Sequence, residues 1–316
     1  MIRIGIDAMG GDYAPKNVVL GAIAAHSRIK PKSRLVLFGS HERILEECKQ
    51  ADFDAAKFDI VPTTEVIEMS DHPAKAFQQK TNSSITIGFA ALAKLKIDGF
   101  ASAGNTGAML AGTMYTVKAI PGIIRPAISS EYALLNGGIG LLLDVGLNVD
   151  CKPDVLYQYG LLGSIYAKHI MGIEKPRIAL LNIGAEEEKG NLLTKEAHNL
   201  MSDSTEFHFA GNIEAHQIYS GKIADVVVTD GFVGNIVLKQ AESMYRLAKI
   251  QNIDNDFFNR FNYELYGGTP ILGVNAPIVI GHGASTPKAI ENMILQTEHV
   301  IKVGLIDKFM EALNNE

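Results

Sequence analysis

The sequence predicts an α/β protein, built on a mostly parallel sheet with helices on both faces. Three observations predict it. Strand-like apolar runs alternate with helix-like stretches along almost the whole chain. Short polar, glycine-rich segments stand where the strands end, as they do at the functional edge of open α/β sheets. The chain has 316 residues, 47% of them apolar and 20% charged, enough to bury a large core.

The elements follow in order. Residues 2–7, 34–39, 58–62 and 99–103 read as strands, and 15–28, 40–50, 83–94 and 106–117 as helices. Pro15 opens the first helix, a placement that leaves helix N–H groups and partial positive charge facing outward. Between 127–135 and 139–144, two strand-like runs, lies Asn136-Gly137-Gly138. Asn-Gly favours a type I′ turn, so an antiparallel hairpin is expected there, suited to a dimer contact. The alternation resumes with a strand at 177–183, a helix at 191–201, a strand at 224–229 and a long helix from Gly231. Thr286-Pro287 supplies a cap and a first helical residue for an amphipathic helix running to about Leu313. No linker or repeat marks a boundary, and a single two-lobed unit is expected.

Composition narrows the function. Lys and Arg total 29 against 35 Asp and Glu, a net charge of −6, which argues against nonspecific nucleic-acid binding. Two distant cysteines, Cys48 and Cys151, give neither a disulfide framework nor zinc spacing, so a reducing, cytoplasmic setting is expected. No apolar run reaches the roughly 18 residues of a spanning helix, and with a strand starting at once no leader segment is expected. G-x-G-x-x-G after a strand, G-x-x-x-x-G-K-[ST], H-E-x-x-H and G-x-S-x-G are all absent. Chemistry without a serine nucleophile, zinc or other metal, or any cofactor is expected.

Six strand-end segments carry the polar residues: 7–12, 104–107, 144–150, 182–191, 229–235 and 281–285. In a parallel sheet such segments are expected to converge on one crevice. Asp7, Gly10 and Gly11 form a turn whose glycines would admit another molecule to the backbone. Gly104, Asn105, Thr106 and Gly107 offer N–H groups and a hydroxyl to phosphate oxygens. Asp144, Asn148 and Asn182 add polar groups; Asp7, Asp12, Asp144 and Asp150 could bind a hard cation, but they are expected instead to accept loop N–H bonds and brace lysines. Lys189 follows an acidic triplet and precedes Gly190-Asn191 near a helix start, where a cation favours a bound anion or an oxyanion. The plain alternative is a solvated lysine paired with Glu186 or Glu187. His282 sits between two glycines, placed to donate to a ligand; a buried histidine is the alternative. Asn235 could orient an oxygen or serve only as a first-turn residue. Cys151 reads as a buried small residue rather than a nucleophile.

Six ordered blocks resemble the PlsX-type phosphate acyltransferases: Asp7-Ala8-Met9-Gly10-Gly11-Asp12 with Ala14-Pro15, Gly104 to Ala108, Leu143 to Gly146 with Asn148 to Pro153, Leu181 to Gly184, Thr229 to Asn235, and Tyr266-Gly267-Gly268 leading into Gly281-His282-Gly283. The resemblance implies a three-layer α/β/α fold akin to isocitrate and isopropylmalate dehydrogenases and to phosphotransacetylases. It implies transfer of a fatty acyl group from acyl carrier protein to inorganic phosphate, giving acyl phosphate for phospholipid synthesis, by a homodimer. Lys189, Asn235 and His282 match the family's active-site polar residues. Phosphate itself is then the nucleophile, which explains the missing serine elbow. A departure lies in the helical excursion at about 239–266, which in family members usually reaches the membrane and is often basic, but here sets Met244, Tyr245, Leu247, Ile250, Phe257, Phe258, Phe261 and Leu265 around few cations. These side chains are expected to touch lipid or the acyl chain, making the protein peripheral to a membrane, or to pack on a partner subunit. A basic rim for the acidic carrier protein is expected from Lys118, Arg125, Lys239, Arg246 and Lys249. The competing readings are a decarboxylating dehydrogenase of related fold and a non-catalytic acyl- or anion-binding regulator.

Overall fold

A computed structural model describes residues 1–314. The chain forms two compact units, one comprising Met1–Ala119 with Tyr263–Ile306, the other Ile120–Asn262 with the residues from Asp307 onward. Unit 1 starts with β1 (Ile2–Asp7), α1 (Lys16–His26), β2 (Ser33–Gly39), α2 (His41–Gln50), β3 (Asp59–Pro62), α3 (Pro73–Gln79), α4 (Ser84–Ala93), β4 (Gly99–Ser102) and α5 (Thr106–Gly112). Unit 2 contributes β5 (Ala127–Ala133), β6 (Ile139–Leu143), α6 (Pro153–His169), β7 (Arg177–Asn182), α7 (Leu192–Ser202), β8 (His208–Glu214), β9 (Val226–Val228), α8 (Gly231–Ile250) and α9 (Asp256–Asn259). The chain then completes unit 1 with β10 (Thr269–Leu272), β11 (Ile278–Ile280) and α10 (Pro287–Val303), and ends in α11 (Leu305–Leu313).

In unit 1 the strand order is β3-β2-β1-β4-β11-β10, parallel except for β10 against β11. Alternation along the strands sorts side chains to two faces. Ile4, Ile6, Leu35 and Leu37 pack with Val19 and Ala22 of α1, Ile44 of α2 and Ile290 and Ile294 of α10. The intervening Phe38 and Phe100 stack edge-on, and Phe100 meets Phe89 of α4 on the opposite face. Helices therefore cover both faces of this sheet.

Unit 2 repeats the plan with the order β5-β6-β9-β7-β8. β6, β9, β7 and β8 are parallel, and β5 pairs antiparallel with β6 from Ser129↔Leu143 to Ala133↔Ile139. The hairpin expected at Asn136-Gly137 is therefore present. Leu143 and Val226 lie against Gly163 of α6, while Leu142 faces Val237, Leu238 and Ala241 of α8. Two elements differ from expectation. Helix 106–117 is α-helical only to Gly112 and finishes in a π-helical turn, Thr113–Val117. The last helix is cut at Gly304, whose left-handed φ of 67° ends α10 before α11 begins.

Candidate active site

Parallel pairing aligns strand C-termini, so loops that follow them share an edge. In unit 1 this gathers the loops after β1, β4 and β11. Asp7 is 1% exposed and accepts from the Ser102 hydroxyl (2.6 Å) and the Met9 N–H (3.0 Å). Burial raises the Asp7 carboxyl above its ordinary range, with hydrogen bonds from Ser102, Ser84 and the loop N–H groups pulling the other way. Ser102 Oγ also accepts the Gly104 N–H (2.9 Å), so one carboxylate fixes two loops. Asp7 thus accepts a loop N–H as expected, while no lysine among the described residues joins it. A Cβ on Gly10 would lie 2.2 Å from Asp7 Oδ2 and 2.7 Å from the Gly104 nitrogen. The space that its missing side chain frees is filled by the protein itself, and Gly11, at φ 107°, turns the chain so that the Asp12 N–H reaches the Gly283 carbonyl (2.8 Å).

Asn105 is spent within the protein. Its Oδ1 caps α5 at the Ala108 N–H, and its Nδ2 donates to the carbonyls of Glu68, Met69 and Asp71. Thr106 stands exposed at the start of α5, while Gly107 sits under Pro73. His282 is exposed, not buried. Its Nδ1 accepts the Ala284 N–H (3.2 Å), which leaves the proton on Nε2. The Tyr263 ring lies beside it with centroids 5.0 Å apart, and the Tyr263 hydroxyl donates to the Ala284 carbonyl (3.1 Å). Sequence reading missed Ser102 and Tyr263, which stand outside the glycine-rich blocks.

In unit 2 the loops after β6, β7 and β9 share an edge. Asp144 is fully buried and accepts from the N–H groups of Ile128 (2.9 Å), Leu147 (3.1 Å) and Asn148 (2.6 Å). Its carboxyl is raised by burial, against the pull of those bonds. Asn148 donates to the Pro126 carbonyl and the Tyr159 hydroxyl, both at 2.7 Å, and its own carbonyl receives the Gly231 N–H (2.7 Å). A Cβ on Gly234 would stand 1.9 Å from the Asp144 carbonyl oxygen, so this glycine lets α8 seat directly on the 144–150 loop. Asn235, exposed one residue later, lies across Gly146. Cys151 is half-buried beneath this loop, and burial pushes its thiol up to about 11. No acyl-cysteine chemistry is favoured there.

The Lys189 side chain is exposed, its stem lying over Gly184. Among the described residues it makes no ion pair with Glu186 or Glu187. Its backbone is held instead. The Lys189 N–H donates to the Glu186 carbonyl (3.1 Å), and the Lys189 carbonyl receives Asn182 Nδ2 (3.1 Å). Asn191 then caps α7 at the Thr194 N–H (2.9 Å), and Asp230 caps α8 at the Val233 N–H (2.9 Å). The site residues of unit 2 thus rest on strand ends and helix caps, with Lys189 and Asn235 left facing solvent.

The apolar excursion divides between core and surface. Phe261 is 6% exposed and packs on Ala133 and Ala241, with Phe257, Met244, Tyr245 and Tyr219 half-buried against this cluster. Leu247, Ile250, Ile253 and Leu265 stay exposed. No helix among the described residues is long and apolar enough to cross a membrane.

The family of fatty acid synthesis proteins matches residues 2–256. A phosphate acyltransferase of Dictyoglomus thermophilum is 40% identical over 337 residues, covering 99% of this chain and 98% of that protein. One of Halothermothrix orenii is 37% identical, covering 100% and 99%. Among solved structures, a phosphotransacetylase from Streptococcus pyogenes aligns with a TM-score of 0.67 at 16% identity, over 95% of this chain and 94% of that one. A 4-hydroxythreonine-4-phosphate dehydrogenase from Burkholderia phymatum aligns at 0.51 and 15%, over 95% and 98%. The structural likenesses carry the fold, which phosphotransacetylases and dehydrogenases share. The sequence identity, sustained from end to end, carries the family: this chain is a transferase and belongs to the phosphate acyltransferases.

Proposed function

We propose that the chain moves a fatty acyl group from acyl carrier protein to inorganic phosphate, yielding an acyl phosphate for phospholipid synthesis. A phosphate oxygen attacks the thioester carbonyl carbon, and a tetrahedral oxyanion forms. The C–S bond then breaks, and the carrier leaves as a thiolate that takes up a proton from solvent. The nucleophile is brought by the substrate, so the protein must fix an anion and stabilise the oxyanion.

Each unit, taken by itself, offers donors suited to an anion. In unit 1, the exposed start of α5 at Thr106 and the Nε2–H of His282 are anion donors. In unit 2, Lys189 presents an uncompensated cation on a clamped turn, and Asn235 presents an amide beside Gly146. The observation that carries the reading is Lys189: an exposed cation free of ion pairs among the described residues, on a backbone held at both ends. A preorganised donor of that kind is worth roughly 3 kcal/mol to an oxyanion. Gly10, Gly11 and Asn105 act in this reading by shaping the loops, since their free space or amide is used by the protein.

The carrier protein as donor, a homodimeric assembly, a cytoplasmic setting and peripheral membrane contact are parts of the same proposal. They are supported by the resemblance of the motif blocks. Of the proposed basic rim, Lys239 is paired with Glu242 (2.8 Å) and Lys249 lies over the Tyr245 ring, while Lys118, Arg125 and Arg246 are exposed. The test is direct. Incubated with acyl-acyl carrier protein and phosphate, the protein is expected to form a product trapped by hydroxylamine as the acyl hydroxamate, only when phosphate is present. Hydroxamate that forms equally without phosphate, or none at all, would reject the assignment.

A further inference from the structure

The turn that carries Lys189 is held from a direction the motifs do not announce. Glu186 closes it by accepting the Lys189 N–H (3.1 Å). The same Glu186 carbonyl receives a second donor, Asn212 Nδ2 (2.8 Å), from β8. Asn212 is 5% exposed, and its Oδ1 lies 3.0 Å from Nδ1 of His198, also 5% exposed, on α7. The Asn212 amide gives its N–H to Glu186, so its oxygen faces the imidazole. His198 must therefore carry its proton on Nδ1 to complete the bond. The ring is fixed in turn by Phe209, edge-on with centroids 5.1 Å apart. With Asn182 holding the Lys189 carbonyl (3.1 Å), amides from neighbouring strands grip both ends of a four-residue turn.

A lysine useful to an oxyanion must not wander. Its own side chain is long and solvated, so the precision has to come from the backbone beneath it. An asparagine amide can rotate by half a turn at little local cost, which would set oxygen against oxygen at Glu186. The His198 donor removes that freedom. Neither residue is exposed enough to meet substrate, and among the described residues neither side chain has another hydrogen-bond partner that would explain burying an amide and an imidazole together.

We propose that Asn212 and His198 are positioning residues for Lys189: Asn212 locks the Glu186–Lys189 turn, and His198 fixes the amide in the orientation that locks it. The proposal rests on the reading of Lys189 as the oxyanion's cation, and its test separates the two. The first measurement needs no activity. Hydrogen exchange at the Lys189 amide is expected to quicken by at least about tenfold in Asn212→Ala and in His198→Phe, which keeps the ring shape without the donor. It is expected to return toward the parent rate in His198→Asn, whose amide N–H replaces Nδ1–H. Parental exchange in Asn212→Ala and His198→Phe overturns the proposal, whatever the activity. The second measurement is steady-state hydroxamate formation by the same variants. Expected is a fall in kcat of about tenfold with KM for phosphate within twofold of the parent, and recovery in His198→Asn. A loosened turn with unchanged kcat also overturns the proposal, because the clamp would then serve the fold alone. If Lys189→Ala is as active as the parent while the turn loosens as expected, the reading of Lys189 fails, and the catalytic half of the positioning claim falls with it.

Discussion

Lys189 and Cys151 make opposite uses of exposure. Lys189 carries its charge into solvent on a fixed backbone, so removing its side chain deletes a donor without unseating a core. Lys189→Ala is expected to lose about 10²–10³ in kcat while its thermal midpoint stays within a degree or two of the parent, measured side by side by hydroxamate trapping and thermal denaturation. Retained turnover would take this lysine out of the chemistry. Cys151 sits half-buried with its thiol pushed up to about 11, so roughly one in ten thousand is ionised near neutral pH. Cys151→Ala is expected to keep at least half of the parent's activity, and a dead variant would bring back an acyl-cysteine intermediate. At this scale the sequence singles out Thr106, Lys189, Asn235 and His282, all exposed in the structure, because they fall inside short glycine-rich blocks beside their neighbours. It read their supports poorly. Ser102 serves Asp7 from 95 residues away, and Asn212 serves Glu186 from 26 away, and no local spacing marks either pair. Asp7 and Asp144 accept loop N–H groups as expected, but the lysines they were also expected to brace are not among their partners in the described residues, because both are too deeply buried for a lysine head to follow.

Among the elements, two joints can be tested. The first is the seat of α8. The 1.9 Å approach of a would-be Gly234 Cβ to the Asp144 carbonyl leaves no room for a methyl, since backbone cannot rotate away as a side chain can. Gly234→Ala is expected to destabilise the chain by about 3 kcal/mol in urea titration. A neutral result would mean that the helix shifts freely on the 144–150 loop. The second joint ties β7 to the approach of β9. Arg177 donates to Asp225 through its backbone N–H (2.9 Å), Nε (3.0 Å) and NH2 group (2.8 Å). Burial pushes the Asp225 carboxyl up, and the bonds and charge of Arg177 more than reverse it, leaving it below its ordinary value of 3.8. A carboxyl depressed in the folded state stabilises above its unfolded value, and that contribution is lost as pH falls through the folded one. Asp225→Asn is therefore expected to cost about 2 kcal/mol at neutral pH, with the gap from the parent closing below about pH 4. A gap that is constant with pH would remove the ion pair from the explanation. Elements with strong punctuation were legible: Ser40, Ser83, Asn191 and Thr286 cap helices at or within a residue of the expected starts. α6 was passed over because Pro153 opens it directly behind a polar loop. β8 was passed over because His208-Phe-Ala-Gly-Asn lacks an apolar run and slips register beside β7 between Ile178 and Leu180.

Taken as a whole, the chain was legible in kind and not in division. Alternation of strand and helix gave the class, and both units bear it out, each with a largely parallel sheet covered on two faces. The path passes from one unit to the other at 119–120 and 262–263 through short connections and at 306–307 within α11, and Pro121-Gly122 beside the first of them is too brief to read as a linker. The global charge leads to the last prediction. With 35 acidic residues against 29 basic, the molecule as a whole is repelled by an anionic lipid surface, and screening over about 8 Å limits what a few local cations can recover at physiological salt. Lys239 is already neutralised by Glu242, and Lys249 is turned onto Tyr245. Phe261, with Phe257 and Tyr245 half-buried against it, belongs to the core of unit 2, which leaves Leu247 at 56%, Ile250 at 64% and Ile253 at 46% exposed as the most open apolar surface of the excursion within that unit. Contact with a membrane must then be apolar and weak. In co-sedimentation with vesicles, the bound fraction is expected to be small and no greater on phosphatidylglycerol than on phosphatidylcholine. It is expected to hold steady or rise slightly with added salt, and to vanish in a Leu247→Glu, Ile250→Glu double variant that keeps its turnover. Binding that climbs with anionic lipid and collapses in salt would mean that local cations overcome the charge of the whole molecule.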